Sequence, residues 1–174
     1  MASDEALRTQ LLYQLNGTVA RRPADEILRG VPPEARGVQP DGLPEAYSLW
    51  QILEHMRASQ ADYLRYCVDP DYSFPAWPDA YWPDTVAPPS DAAWTDCLDQ
   101  FQSDLQRAKA LVQNPDIDIG GDIPHAEGEK YHGMTYAGEL AGIADHNAYH
   151  LGQFVTVRRL LGVWPPEDLE SKSY

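Results

Sequence analysis

Four stretches of this chain repeat their apolar residues with a helical period, and nothing between them alternates as a strand would. That pattern confines the chain to an all-α fold. The first stretch runs from about Asp4 to Val19, with Leu7, Leu11, Leu12 and Leu15 on one face. The second runs from about Ser48 to Cys67, with its stripe at Leu49, Ile52, Leu53, Met56, Tyr63, Leu64 and Cys67. The third opens at Ser90, an N-cap residue type followed by acidic Asp91, and runs to about Gln113. Trp94, Leu98, Phe101, Leu105, Ala108 and Val112 form its stripe. The fourth runs from about Thr135 to Leu161 and stops at Gly162, with Pro165 and Pro166 just beyond.

The connections choose among helical folds. Residues 20–47 hold a short helical piece around Ala24 to Arg29, then turns rich in proline and glycine. Residues 69–89, DPDYSFPAWPDAYWPDTVAPP, carry six prolines and five aromatic rings. A plain helix hairpin needs only ~2–8 connecting residues. A connector this long can run back along a helix, so that the second and third helices lie parallel in a four-helix bundle with a crossover. A simple up-and-down bundle with a decorated loop is the other arrangement the spacing allows. Residues 1–174 read as a single domain, a length sufficient for a substantial core.

Charge narrows the partners. Thirteen Lys and Arg stand against 27 Asp and Glu, a formal net charge of −14. Such a surface repels phosphate backbones and anionic membranes, so neither nucleic acid nor a membrane is an expected partner. The opening MASDEALRTQ has no basic or apolar leader segment, and no apolar run approaches the ~18 residues of a membrane span. Cys67 and Cys97 are too few for a disulfide framework and fall in helical patterns. They read as reduced core cysteines of a cytoplasmic protein, with a redox role for the pair as a lesser reading.

Three of the five histidines lie in the two most helix-like stretches, SLWQILEHM and DHNAYHLGQ. His146 and His150 are four apart, one turn apart on the same face, inside the stripe of Ile143, Phe154, Val157 and Leu161. A lone histidine in such a stripe is usually a hydrogen-bonded core residue. Two buried imidazoles need more partners than this stripe offers, which favours a shared divalent ion. His55, on the flank of the second stripe near Ile52 and Ser59, is the candidate third ligand.

SLWQILEHM, then DHNAYHLGQ about ninety residues later, then RRLLG, resembles the DinB-like (YfiT-like) superfamily from about Leu7 to Trp164. That family's motif pairs one helical histidine with a later His-x-x-x-His, and His55, His146 and His150 stand at all three places. The resemblance implies a four-helix bundle with a crossover between its second and third helices, a divalent metal and often a homodimer. It also implies activities of two kinds, transfer of low-molecular-weight thiols and metal-dependent hydrolysis.

The chemistry follows from the ligands. Three neutral imidazoles leave a divalent charge uncompensated, which acidifies a bound water or thiol. Zinc or nickel comes first as the ion, iron or manganese after. A metalloprotease is excluded in detail, because Asn147 stands where His-Glu-x-x-His needs its glutamate and Thr156 where the longer motif needs its third histidine. Glu139, seven residues before His146 on the same face, is the candidate general base, although a role capping or pairing near the helix start is slightly the favoured reading. Gln153 is placed to hydrogen-bond His150, and Asp145 serves another face. His125 and His132 lie in a loop and read as solvated rather than ligating. Tyr72, Phe74, Trp77, Tyr81 and Trp82 either line a substrate pocket or cover the outside of the bundle, and the covering role is the expected one. The expected function is therefore a metal-dependent thiol transferase or hydrolase acting on a small molecule. The alternative is a non-catalytic metal-stabilised binding protein or structural homodimer.

Overall fold

The computed structural model describes residues 2–17, 21–43, 46–124, 134–166 and 169. The described residues form five α-helices: α1 (Ala2–Asn16), α2 (Ala24–Leu28), α3 (Leu49–Val68), α4 (Asp91–Gln113) and α5 (Tyr136–Leu160). A 3₁₀ turn at Pro33–Ala35 follows α2. The described residues contain no strand, and their one bridge joins Asp122 to Thr135. The all-helical expectation holds, and the short helical piece in the first connector is α2.

Local chemistry sets the helix starts. Ser48 forms a reciprocal capping box with Gln51 at α3, Ser90 accepts the Ala93 N–H at α4, and Thr135 accepts the Gly138 N–H at α5. Past the end of α5, Gly162 takes φ +72°, a left-handed conformation that glycine enters without steric cost. The stripes of α3, α4 and α5 meet in one core containing Leu49, Leu53, Met56, Phe101, Leu140 and Phe154. In α1 only Leu11 and Leu15 are buried, while Leu7 is exposed, so the stripe of this first helix is narrower than its sequence suggests.

Contacts between helices give their directions. Trp50 packs near Trp94, Glu54 accepts from Cys97, and Gln60 donates to the Phe101 carbonyl, so α3 and α4 run the same way. Gln60 also meets Asn147, and Tyr63 abuts Gly142, so α3 and α5 run in opposite directions. The connector 69–89 makes the parallel pair possible by running back along α3. Its Tyr72 and Tyr81 hydroxyls donate to Asp62, Thr85 accepts from Trp50, and the Val86 carbonyl accepts from Ser48. A Cβ at Gly37 would lie 2.4 Å from that of Ala87, so only glycine lets the first connector approach the second this closely.

Two arginines tie loops to the bundle. Arg8 on α1 donates to the carbonyls of Val112, Asn114 and Ile117 at the end of α4. Arg158, fully buried in the last turn of α5, donates to the carbonyls of Ile27, Arg29, Gly30 and Val163. Each arginine supplies donors to backbone acceptors that have no helical partner.

Candidate metal centre

His55 comes from α3, and His146 and His150 from α5. Because the two helices are antiparallel neighbours, one histidine on the first faces a pair one turn apart on the second. The ligating atoms of the three lie within 4.8 Å of one another. The Nε2 atoms of His146 and His55 are 3.1 Å apart. His55 and His150 are buried, and His146 is half-buried. Three histidines that the sequence separates by about ninety residues are thus brought to one point.

Their outer nitrogens are held. His55 Nδ1 lies 3.0 Å from the Tyr81 carbonyl oxygen, which can only accept, so Nδ1 carries the proton and Nε2 keeps its lone pair. His150 Nδ1 is 2.8 Å from Gln153 Oε1, which leaves Nε2 of that ring unprotonated in the same way. Burial is the main cause that lowers the pKa of His55 to about 4 and that of His146 to about 3, and it lowers His150 as well. Mutual repulsion among the rings adds to the effect at His55 and His146. All three are therefore neutral at pH 7. Two facing Nε2 atoms 3.1 Å apart require a shared proton or an ion between lone pairs. The donor set fits a divalent metal ion, and these three residues could hold one.

The aromatic connector does more than cover the bundle. Trp82 stacks on the His55 ring, with centroids 3.9 Å apart and planes 5° from parallel, and Tyr47 stacks on the other partner of that pair, Trp82, at 4.1 Å. Tyr72, Phe74, Trp77 and Tyr81 help line a cavity of about 410 Å³ that reaches His146. The covering role expected from sequence holds, with Phe74 and Trp77 exposed on the outside of the bundle, and four of the rings line a cavity as well. A proline-rich segment forced back along α3 must lay its rings on that helix, and one side of it becomes a cavity wall.

Glu139 lines the same cavity. It does not cap α5, a role taken by Thr135, and among the described residues no cation or hydrogen-bond donor pairs with it. Burial and then the charge of Asp62 push its carboxyl up to about 7. Asp62 had no place in the sequence reading. The signal was nevertheless there: Asp62 lies seven residues after His55, as Glu139 lies seven before His146. On antiparallel helices both displacements run two turns in the same direction. Asn147, at the protease-glutamate place, is buried and donates to Gln60 instead, bracing α5 against α3. Asp145 lies on another face, beside α1. His125 and His132 lie outside the described residues.

The family pattern of the DinB superfamily matches residues 18–154, well over half of the chain and all three histidines. The chain belongs to the DinB superfamily. Its metal-associated character as a family agrees with the donor set of this DinB centre. No curated protein and no solved structure matches the chain.

Proposed function

We propose that this DinB protein is a divalent-metal enzyme that activates water or a low-molecular-weight thiol for attack on a small electrophile. The observation that carries the reading is the convergence of three neutral imidazoles beside a cavity that also holds a buried carboxylate with no partner among the described residues. A divalent ion, zinc or nickel first, supplies Lewis acidity there without being neutralised by its ligands. His55, His146 and His150 hold their Nε2 lone pairs towards it. Tyr81 and Gln153 hold the first and the last of those rings in the ligating tautomer. Glu139, with its carboxyl near neutrality, accepts the proton that the nucleophile gives up. The aromatic walls keep bulk water from competing with the substrate. A homodimer in the cytoplasm is the proposed setting. No helix among the described residues is long and apolar enough to cross a membrane.

The test is elemental analysis of native protein, followed by paired assays of metal-loaded wild type and His146→Ala. The wild type is expected to bind about one equivalent of metal, to ionise an added thiol by ultraviolet absorbance or to hydrolyse a model ester, and to lose these with the substitution. A wild type that binds metal yet does neither above the mutant's rate supports a non-catalytic binding protein instead. Light scattering of the native protein reads the dimer.

A further inference from the structure

We propose that the cavity beside the histidines binds a protonated amine carried on an apolar body. The binding stands apart from the functional reading, in which Glu139 is the base, because a carboxylate paired to an ammonium group is a weaker base.

Two carboxylates reach this cavity, one from each antiparallel helix. Asp62 already accepts from the Tyr72 hydroxyl at 2.8 Å and the Tyr81 hydroxyl at 2.5 Å, so its charge is held in place. Glu139 is different. It is 4% exposed, lines the cavity and has no partner among the described residues. Among the described residues this carboxyl has no donor, and it borders the cavity, so a ligand there is a natural source of one.

The remaining walls favour a cation over other donors. Tyr66, Tyr72, Phe74, Trp77 and Tyr81 present rings to the cavity, and ring faces attract cations. The chain itself uses one of these rings so, since the Arg65 guanidinium stands 5.6 Å from the centre of Tyr72. No lysine or arginine is among the described lining residues. In metal-free protein a carboxylate or phosphate ligand would meet two carboxyl groups and, among the described lining residues, no cationic side chain. A purely apolar ligand would fill the rings and leave Glu139 unpaired. An ammonium group with N–H donors satisfies Glu139 and the rings together, and an apolar body suits Phe74 and Trp77 at the exposed edge, where Trp77 is 71% exposed.

The probes are phenethylamine, 2-phenylethanol and 3-phenylpropionate, titrated into metal-free and metal-loaded full-length protein and followed by calorimetry and tryptophan fluorescence. The amine is expected to bind at least about tenfold more tightly than the alcohol or the acid. Glu139→Gln should remove most of that preference while leaving the alcohol unchanged. Trp77→Ala, at the exposed edge, should weaken the amine selectively and keeps the test open should the buried substitution disturb folding. Metal-free protein should keep the preference for the amine, so failure of the metal reading is told apart from failure of this one. Equal binding of the three probes, tighter binding of the acid, or no amine binding at millimolar concentration overturns the proposal.

Discussion

Replacing Arg158 with methionine keeps a long side chain and removes the guanidinium. Five hydrogen bonds of 2.7–3.2 Å to the carbonyls of Ile27, Arg29, Gly30 and Val163 disappear. Those carbonyls lie at the end of α2 and just beyond α2 and α5, and the site is closed to water because Arg158 is 0% exposed. At about 1 kcal/mol for each of the four acceptors, the loss is ~4 kcal/mol. Part of it is offset, because burial already disfavours the charged form and lowers the Arg158 pKa to about 10. A net destabilisation of ~3 kcal/mol remains, which for a domain of this length lowers Tm by ~6–12 °C. The assay is thermal unfolding followed by circular dichroism at 222 nm, with Arg159→Met, an exposed neighbour, as the control. Arg159→Met should move Tm by little. Metal binding by Arg158→Met at low temperature should match wild type, since the histidines lie two turns or more away along α5. Equal Tm values for the two variants would refute the claim that Arg158 holds the α2 segment.

The histidines and Glu139 should give opposite pH dependences in metal-free protein. His55 and His146 titrate near 4 and 3 in the fold and near 6.5 when unfolded, so the unfolded chain binds more protons and stability falls as pH drops from 6.5 towards 4. Glu139 titrates near 7 in the fold against an ordinary 4.5, so its contribution is lost as pH rises through that window, and Glu139→Gln should gain on wild type between pH 5 and 8. Urea unfolding across pH reads both, and parallel curves for wild type and Glu139→Gln would contradict the burial argument. Gln153→Leu removes the acceptor that orients His150 and should weaken metal affinity by about 10–100-fold in a chelator competition; an unchanged affinity would show that the ring needs no such partner. Cys67 and Cys97 are both buried with thiols pushed up by burial, Cys67 to about 12, so a disulfide reagent should react with them only as fast as the chain unfolds. Rapid labelling of native protein would revive a redox role.

Much of this architecture was legible as periodicity. Apolar residues every three or four places mark α3, α4 and α5 because each helix buries one face, and Ser90 marks the start of α4 because an exposed N–H needs an acceptor. The spacing of His146 and His150 places them one turn apart whatever surrounds them. His55 was half legible: its place on the flank of a stripe, together with the family resemblance, nominated it, but only the antiparallel contact of α3 with α5 puts its Nε2 atom 3.1 Å from that of His146. The connector was opaque. Residues 69–89 have no period, since prolines prevent regular hydrogen bonding, and so nothing local says which ring faces inward. Packing against α3 decides it, stacking Trp82 on His55 and turning Tyr72 and Tyr81 to Asp62. Glu139 and Arg158 show the same limit. In sequence Glu139 reads as either a base or a capping residue and Arg158 as an ordinary charged residue near a helix end, yet each is buried in the fold, one without a partner among the described residues and one with four carbonyls around it. Local sequence determines which face of a helix is apolar; what a charged group on that helix meets depends on segments more than a hundred residues away.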